Sequence, residues 1–111
     1  MAGHIPHWLP QGFGLQGGWT DGRSTWATWT DRGCREVTVS SDREGPSGGP
    51  SGPRVGPWIV VDDVANQCAN EVLGSATCLD YLAPAPSGSV GVNAMGLERP
   101  EGDRIVQSIQ L

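Results

Sequence analysis

The chain has 111 residues, 17 Gly, 9 Pro, 37% apolar residues and a net charge of −5. That length holds one modest core. An acidic chain without a basic stripe excludes phosphate backbones and anionic membranes as direct partners. The charge is uneven: residues 1–57 balance five Arg against five acids, and residues 58–111 set two Arg against seven acids. No run of eighteen apolar residues exists, so no helical membrane span is expected.

Residues 1–18 hold two His, two Pro and five Gly without a sustained period, and read as an extended arm. They contain neither a basic n-region nor an apolar h-region, so no secretory signal is expected. The segment GFGLQG at 12–17 matches the letters of a dinucleotide fingerprint. That fingerprint needs a strand before it and a helix after it. Here Pro10 precedes it and the Gly- and Asp-containing run 18–22 follows, which excludes the reading.

From Trp19 the texture changes. Asp21-Gly22 is a two-residue turn signal, and Asp31-Arg32-Gly33 suits a three-residue turn. Between and after them, STWATWT at 24–30 and CREVTVSS at 34–41 are rich in Thr, Val and Trp, which favour pleated, half-buried surfaces. These segments predict a three-stranded antiparallel meander over 19–41. Trp26, Thr28 and Thr30 share one face; Thr25, Ala27 and Trp29 share the other. Trp19, Trp26 and Trp29 are candidate binding residues, since a flat aromatic surface stacks on a sugar ring or grips a peptide. Trp19 and Trp29 are expected to meet across the meander.

Residues 42–57 form a Gly/Pro-rich linker; nine of the fourteen residues at 44–57 are Gly or Pro. The segment GPSGG at 45–49 matches the letters of a nucleophile elbow around Ser47. An elbow needs a strand-to-helix turn and a histidine base, and the only histidines are His4 and His7 in the arm. For metal, His4 and His7 form the single closely spaced ligand pair, with Cys34, Cys68 and Cys78 scattered. Structural sites pair ligands tightly in both halves, so neither a metal nor a cofactor is expected. Three cysteines without a signal read as reduced thiols, with Cys68 and Cys78 the nearest pair.

After the linker, residues 58–111 predict a strand-helix-strand unit. PWIVV at 57–61 is a buried strand. Asp62 or Asp63 then caps a helix in which Val64, Cys68 and Val72 recur at intervals of four; Gly74 ends or breaks it, and 75–82 resumes it for two turns. Val64 and Val72 are therefore candidate interface residues. VGVNAM at 90–95 is a weak strand, 97–103 a turn, and RIVQSIQL at 104–111 a closing strand with Ile105, Ile109 and Leu111 on one face. The segment CANEVLGSATCLDYL at 68–82 is similar to the first two cysteine helices of plant lipid-transfer proteins, in which Cys, nine residues and Cys-Leu-x-Tyr-Leu recur. That resemblance implies helices here. It covers 15 of 111 residues, and three cysteines replace the family's eight, so it is not carried further.

The fold expected is a single small α+β domain: meander, linker, one helix and its flanking strands, with a mainly β arrangement as the alternative. No nucleophile, base and oxyanion donors can be assembled, so the chain does not read as an enzyme. It reads as a structural or interaction subunit of a larger assembly, such as a virion or phage accessory protein or a minor complex subunit. Its partners would be other proteins or further copies of itself, and its location soluble, cytoplasmic or within a particle. The alternative is a small aromatic-faced binding module for carbohydrate or peptide.

Overall fold

The computed structural model describes residues 4–20, 24–31, 35–42, 52–70, 74–86 and 88–111, with the backbone alone for Trp19, 62–70 and 74–78. Seven strands form one antiparallel sheet in the order β1-β2-β3-β7-β6-β5-β4. They are β1 (Gly14–Thr20), β2 (Ser24–Thr30), β3 (Glu36–Asp42), β4 (Arg54–Val55), β5 (Trp58–Asn70), β6 (Gly74–Ala85) and β7 (Gly88–Met95), followed by helix α1 (Arg99–Gln107). The structure is thus largely β with one short helix. Among the described residues no helix is long and apolar enough to cross a membrane.

The predicted meander is present, with β1 starting at Gly14 inside the predicted arm. A second meander, β4 to β7, starts at the far edge and returns to the centre, where β7 pairs antiparallel with β3 from Asp42↔Ser89 to Glu36↔Met95. The Gly/Pro linker therefore connects β3 to the opposite edge of the same sheet. Four strand spacings are about 19 Å, well within the roughly 36 Å that eleven extended residues reach. Residues 43–51, which include Ser47, lie outside the described residues. The linker's end is structured: the Pro53 carbonyl accepts from Val60 N at 2.8 Å, and Gly56 takes the left-handed conformation (φ 59) that the two-residue turn from Val55 to Trp58 requires.

Two predicted elements are corrected. The helix expected over 62–82 is instead the β5–β6 pair, with Asp62 and Asp63 in mid-strand opposite Asp80 and Leu79. An interval of four is also twice the strand period, so the spacing of Val64 and Cys68 did not separate the two. What decides is β6: Leu79, Tyr81 and Ala83 alternate and fill the sheet between β5 and β7. The helices implied by the lipid-transfer likeness are absent from the described part of that segment for the same reason.

The closing strand expected at 104–111 is instead α1 and its exit. Pro100 sits in the first turn, and the Glu101 carboxylate accepts from the Glu98 amide at 3.4 Å, one arm of a capping box. Ile105, Val106 and Ile109 are all buried, a helical stripe that strand alternation would split.

The core lies on one face of the sheet. Ala27 and Trp29 of β2, Val37 and Val39 of β3, Val92 and Ala94 of β7, and Leu79 and Tyr81 of β6 point into it. Helix α1 adds Ile105 and Val106 to this core and approaches β6 closely. A methyl group on Gly102 would run into the Tyr81 hydroxyl and come within 2.7 Å of Leu79 Cδ1. The predicted arm is also part of this layer. Trp8, Leu9 and Phe13 pack on the core. His7 N and Trp8 N donate to Ser108 Oγ at 3.0 and 3.1 Å, and the Arg104 guanidinium stacks over the Trp8 ring at 4.2 Å. Arg35 adds a second tie, bonded to Asp31 at 2.6 Å and lying over Phe13 at 5.3 Å.

Candidate functional site

The face opposite α1 carries the other half of each alternation. Along β3 these residues are Glu36, Thr38 and Ser40; along β7, Gly91, Asn93 and Met95; along β2, Trp26, Thr28 and Thr30. Register aligns them in rows. Trp26 lies opposite Ser40, which lies opposite Gly91; Thr28 lies opposite Thr38, then Asn93, then Asp80.

Two rows meet in a hollow of about 280 Å³ lined by Trp26, Thr38, Ser40, Asp80, Gly91 and Asn93, among others. Gly91 supplies its floor: a side chain there would begin 3.1 Å from Ser40 Oγ. Asn93 Nδ2 donates to Asp80 Oδ1 at 2.7 Å, which fixes the amide and carboxylate at the wall facing Trp26. The Thr28 and Thr38 hydroxyls bond each other at 3.1 Å, and Ser40 Oγ donates to the Gly91 carbonyl at 3.5 Å. A wider hollow of about 470 Å³ follows on the β1 side, lined by Gln16, Gly17, Thr28 and Glu36. Among the described residues the smaller hollow offers the Trp26 indole, the hydroxyls of Thr38 and Ser40 and the Asp80 carboxylate, and the wider one adds the Glu36 carboxylate.

Of the residues singled out in the sequence, Trp26 is half-buried and lines this hollow. Trp29, three residues on, faces the core at 7% exposure. Trp19 is paired along the backbone with Trp26, and Leu15 rather than Trp19 stands opposite Trp29. The expected meeting of Trp19 with Trp29 is therefore corrected by the register; the Trp19 side chain is outside the description. Val64 lies in β5 opposite Cys78, with only its backbone described, and Val72 lies outside the described residues. Cys68 faces Ala76 across the pair, so the two nearest cysteines are not direct neighbours in register.

The two histidines are engaged with the C-terminal end of α1: His4 Nδ1 contacts the Gln110 carbonyl at 3.0 Å, and His7 holds Ser108 through its backbone. Among the described residues no three His, Cys, Asp or Glu side chains converge. In the GFGLQG segment, Gly12 makes a turn (φ 94) and β1 follows where a dinucleotide site requires a helix. The sequence reading missed Thr38, Ser40, Asp80, Gly91 and Asn93. The alternation of CREVTVSS and VGVNAM held the signal for four of them, but not the register that gathers them. No family model matches the chain, and no curated protein or solved structure proves similar to it.

Proposed function

We propose that the chain is a non-enzymatic interaction subunit that completes its structure against a protein partner or a further copy of itself. The observation that carries this reading is the β5–β6 ribbon. Strand β6 has β7 as its second neighbour from Cys78 to Ala85. Farther out, Ala65↔Thr77, Cys68↔Ala76, Ala69↔Ser75 and Asn70↔Gly74 pair with each other alone among the described residues.

A two-stranded ribbon is marginal in water by itself. Its described residues, 65–70 and 74–77, include no charged residue, and Ala65, Cys68, Ala69 and Ala76 are apolar. Edges of soluble proteins are ordinarily blunted by charge, above all Lys, or by Pro, and the ribbon has neither. A surface of this kind supports docking into another protein, as in a minor subunit of a complex or an accessory component of a particle.

The test is to shorten the ribbon by replacing residues 66–76 with Asn-Gly and to compare both chains by sedimentation and hydrogen exchange. The full chain is expected either to sediment above its 11.7 kDa monomer mass, with the shortened chain monomeric and folded, or to remain monomeric with ribbon amides exchanging far faster than those of β7. A monomer whose ribbon amides are as protected as β7 overturns the reading.

A further inference from the structure

We infer that the Trp26 hollow on the open face is a binding site for a single uncharged sugar ring. The inference is independent of the ribbon and of any assembly. It starts from what the hollow offers. The half-buried Trp26 presents an aromatic face at one side. Hydroxyls of Thr38 and Ser40 and the bonded Asn93–Asp80 pair stand around the rest. A sugar has the same two-sided character, with C–H groups on a ring face and hydroxyls at the rim. Aromatic side chains take apolar faces flat, and a few placed polar groups fix orientation.

Size selects one ring. The hollow of about 280 Å³ sits just below the roughly 300–1,000 Å³ of drug-sized ligand clefts. From β2 to β6 is about 14 Å across three strand spacings, and the Trp26 side chain takes up part of that width. Gly91 is what keeps the space open. Its floor position faces Ser40 on one side and Leu82 on the other, and any side chain would project into the hollow.

Charge selects a neutral ligand. Among the described residues no Arg lines the hollow, and Asp80 stands at its wall. A carboxylate already held by an amide donor accepts sugar hydroxyls well and repels uronates, sialic acids and phosphates. The Ser40 to Gly91 bond of 3.5 Å is at the outer limit of hydrogen-bond geometry, so a ligand hydroxyl replaces it at little cost. A proline-rich peptide fits less well, because it lies along a groove several residues long.

The experiment titrates the ¹⁵N-labelled full chain with D-glucose, D-galactose and D-mannose, with D-glucuronate as the charged control and a decaproline peptide as the competing class. The readouts are the Trp26 indole N–H, assigned with Trp26→Phe, and the amides of Ser40, Gly91 and Asn93. At least one hexose is expected to shift these resonances saturably with a Kd of about 1–10 mM, and glucuronate to bind at least tenfold more weakly. Trp26→Ala and, separately, Asn93→Ala should each weaken binding tenfold or more; the second variant leaves the aromatic packing in place if the first fails to fold. The inference is overturned if all three hexoses leave the resonances unmoved at about 100 mM. It is also overturned if the shifts survive both variants, if glucuronate binds better, or if decaproline alone saturates the site.

Discussion

Strands β2, β3, β7 and β6 present Ala27, Trp29, Val37, Val39, Val92, Ala94, Leu79 and Tyr81 to the core. On their other side the same strands present Trp26, Thr28, Thr38, Ser40, Asn93 and Asp80. One face is a packed apolar layer and the other a polar surface around the Trp26 indole. Trp26 and Trp29 show how sharp the division is. They are the same residue type on one strand, an odd number of positions apart, and the strand period of two sends them to opposite faces. Sequence composition treats them alike; only the face decides which one is packed in the core and which one lines the open surface.

The contrast predicts a ladder of effects, steepest on the helix side. Trp58 is 1% exposed on β5 and is the largest fully buried side chain. Trp58→Ala should cost about 3–5 kcal/mol, measured by urea denaturation, a large part of the stability of a chain this size. A loss near 1 kcal/mol would place Trp58 outside the core.

Gly102 gives a smaller and more pointed case. Ala is favoured over Gly in a helix interior by about 1 kcal/mol, so Gly102→Ala would stabilise an isolated α1. Against the sheet the added methyl meets Tyr81 and Leu79, and overpacking costs about 1–3 kcal/mol. A net loss is expected. A gain in melting temperature would mean that α1 does not seat on β6 as described.

Tyr81→Phe tests the polar tie at the same contact. The Tyr81 hydroxyl donates to Asp103 Oδ1 at 2.8 Å, and Arg99 Nε bonds the same oxygen at 3.0 Å. Because Arg99 keeps the carboxylate partnered, the loss should be about 1 kcal/mol rather than the larger value for a stranded charge. Adding Arg99→Ala should then cost more than its own single effect, a coupling that a double-mutant cycle reads directly.

How far these features were legible follows from the range of the interaction that fixes each. The meander is local: Asp21-Gly22 and the Thr, Val and Trp runs define its strands, and β2 and β3 pair without a break from Ser24↔Asp42 to Thr30↔Glu36. The end of the chain was also locally encoded, through Pro100, Glu98 and Glu101, yet Ile105, Ile109 and Leu111 alternate well enough to imitate a strand. Segment 62–82 was ambiguous because a spacing of four suits both periods, and its state depends on β7, a partner beyond it in the chain. The site was the least legible part. Trp26 was visible as a residue, but Thr38, Asn93 and Asp80 come from three other strands. Their meeting depends on the β3–β7 register, which closes only after the chain has crossed from one sheet edge to the other.

The smallest effect belongs to the open face, and its smallness is the point. Thr38→Val keeps the branched shape that suits a strand and removes a hydroxyl bonded to Thr28 at 3.1 Å on a half-buried surface. Water can take over the hydrogen bond that Thr28 loses, so the stability change should stay within about 0.5 kcal/mol. The reverse exchange one residue along, Val39→Thr, sets a hydroxyl in the core and should cost about 1–3 kcal/mol. The two variants differ by one position and a mirror-image change in chemistry, so their ratio measures the asymmetry of the sheet directly. Equal costs would mean that the two faces are covered alike, and that the hollow beside Trp26 is closed to ligands by something packed upon it.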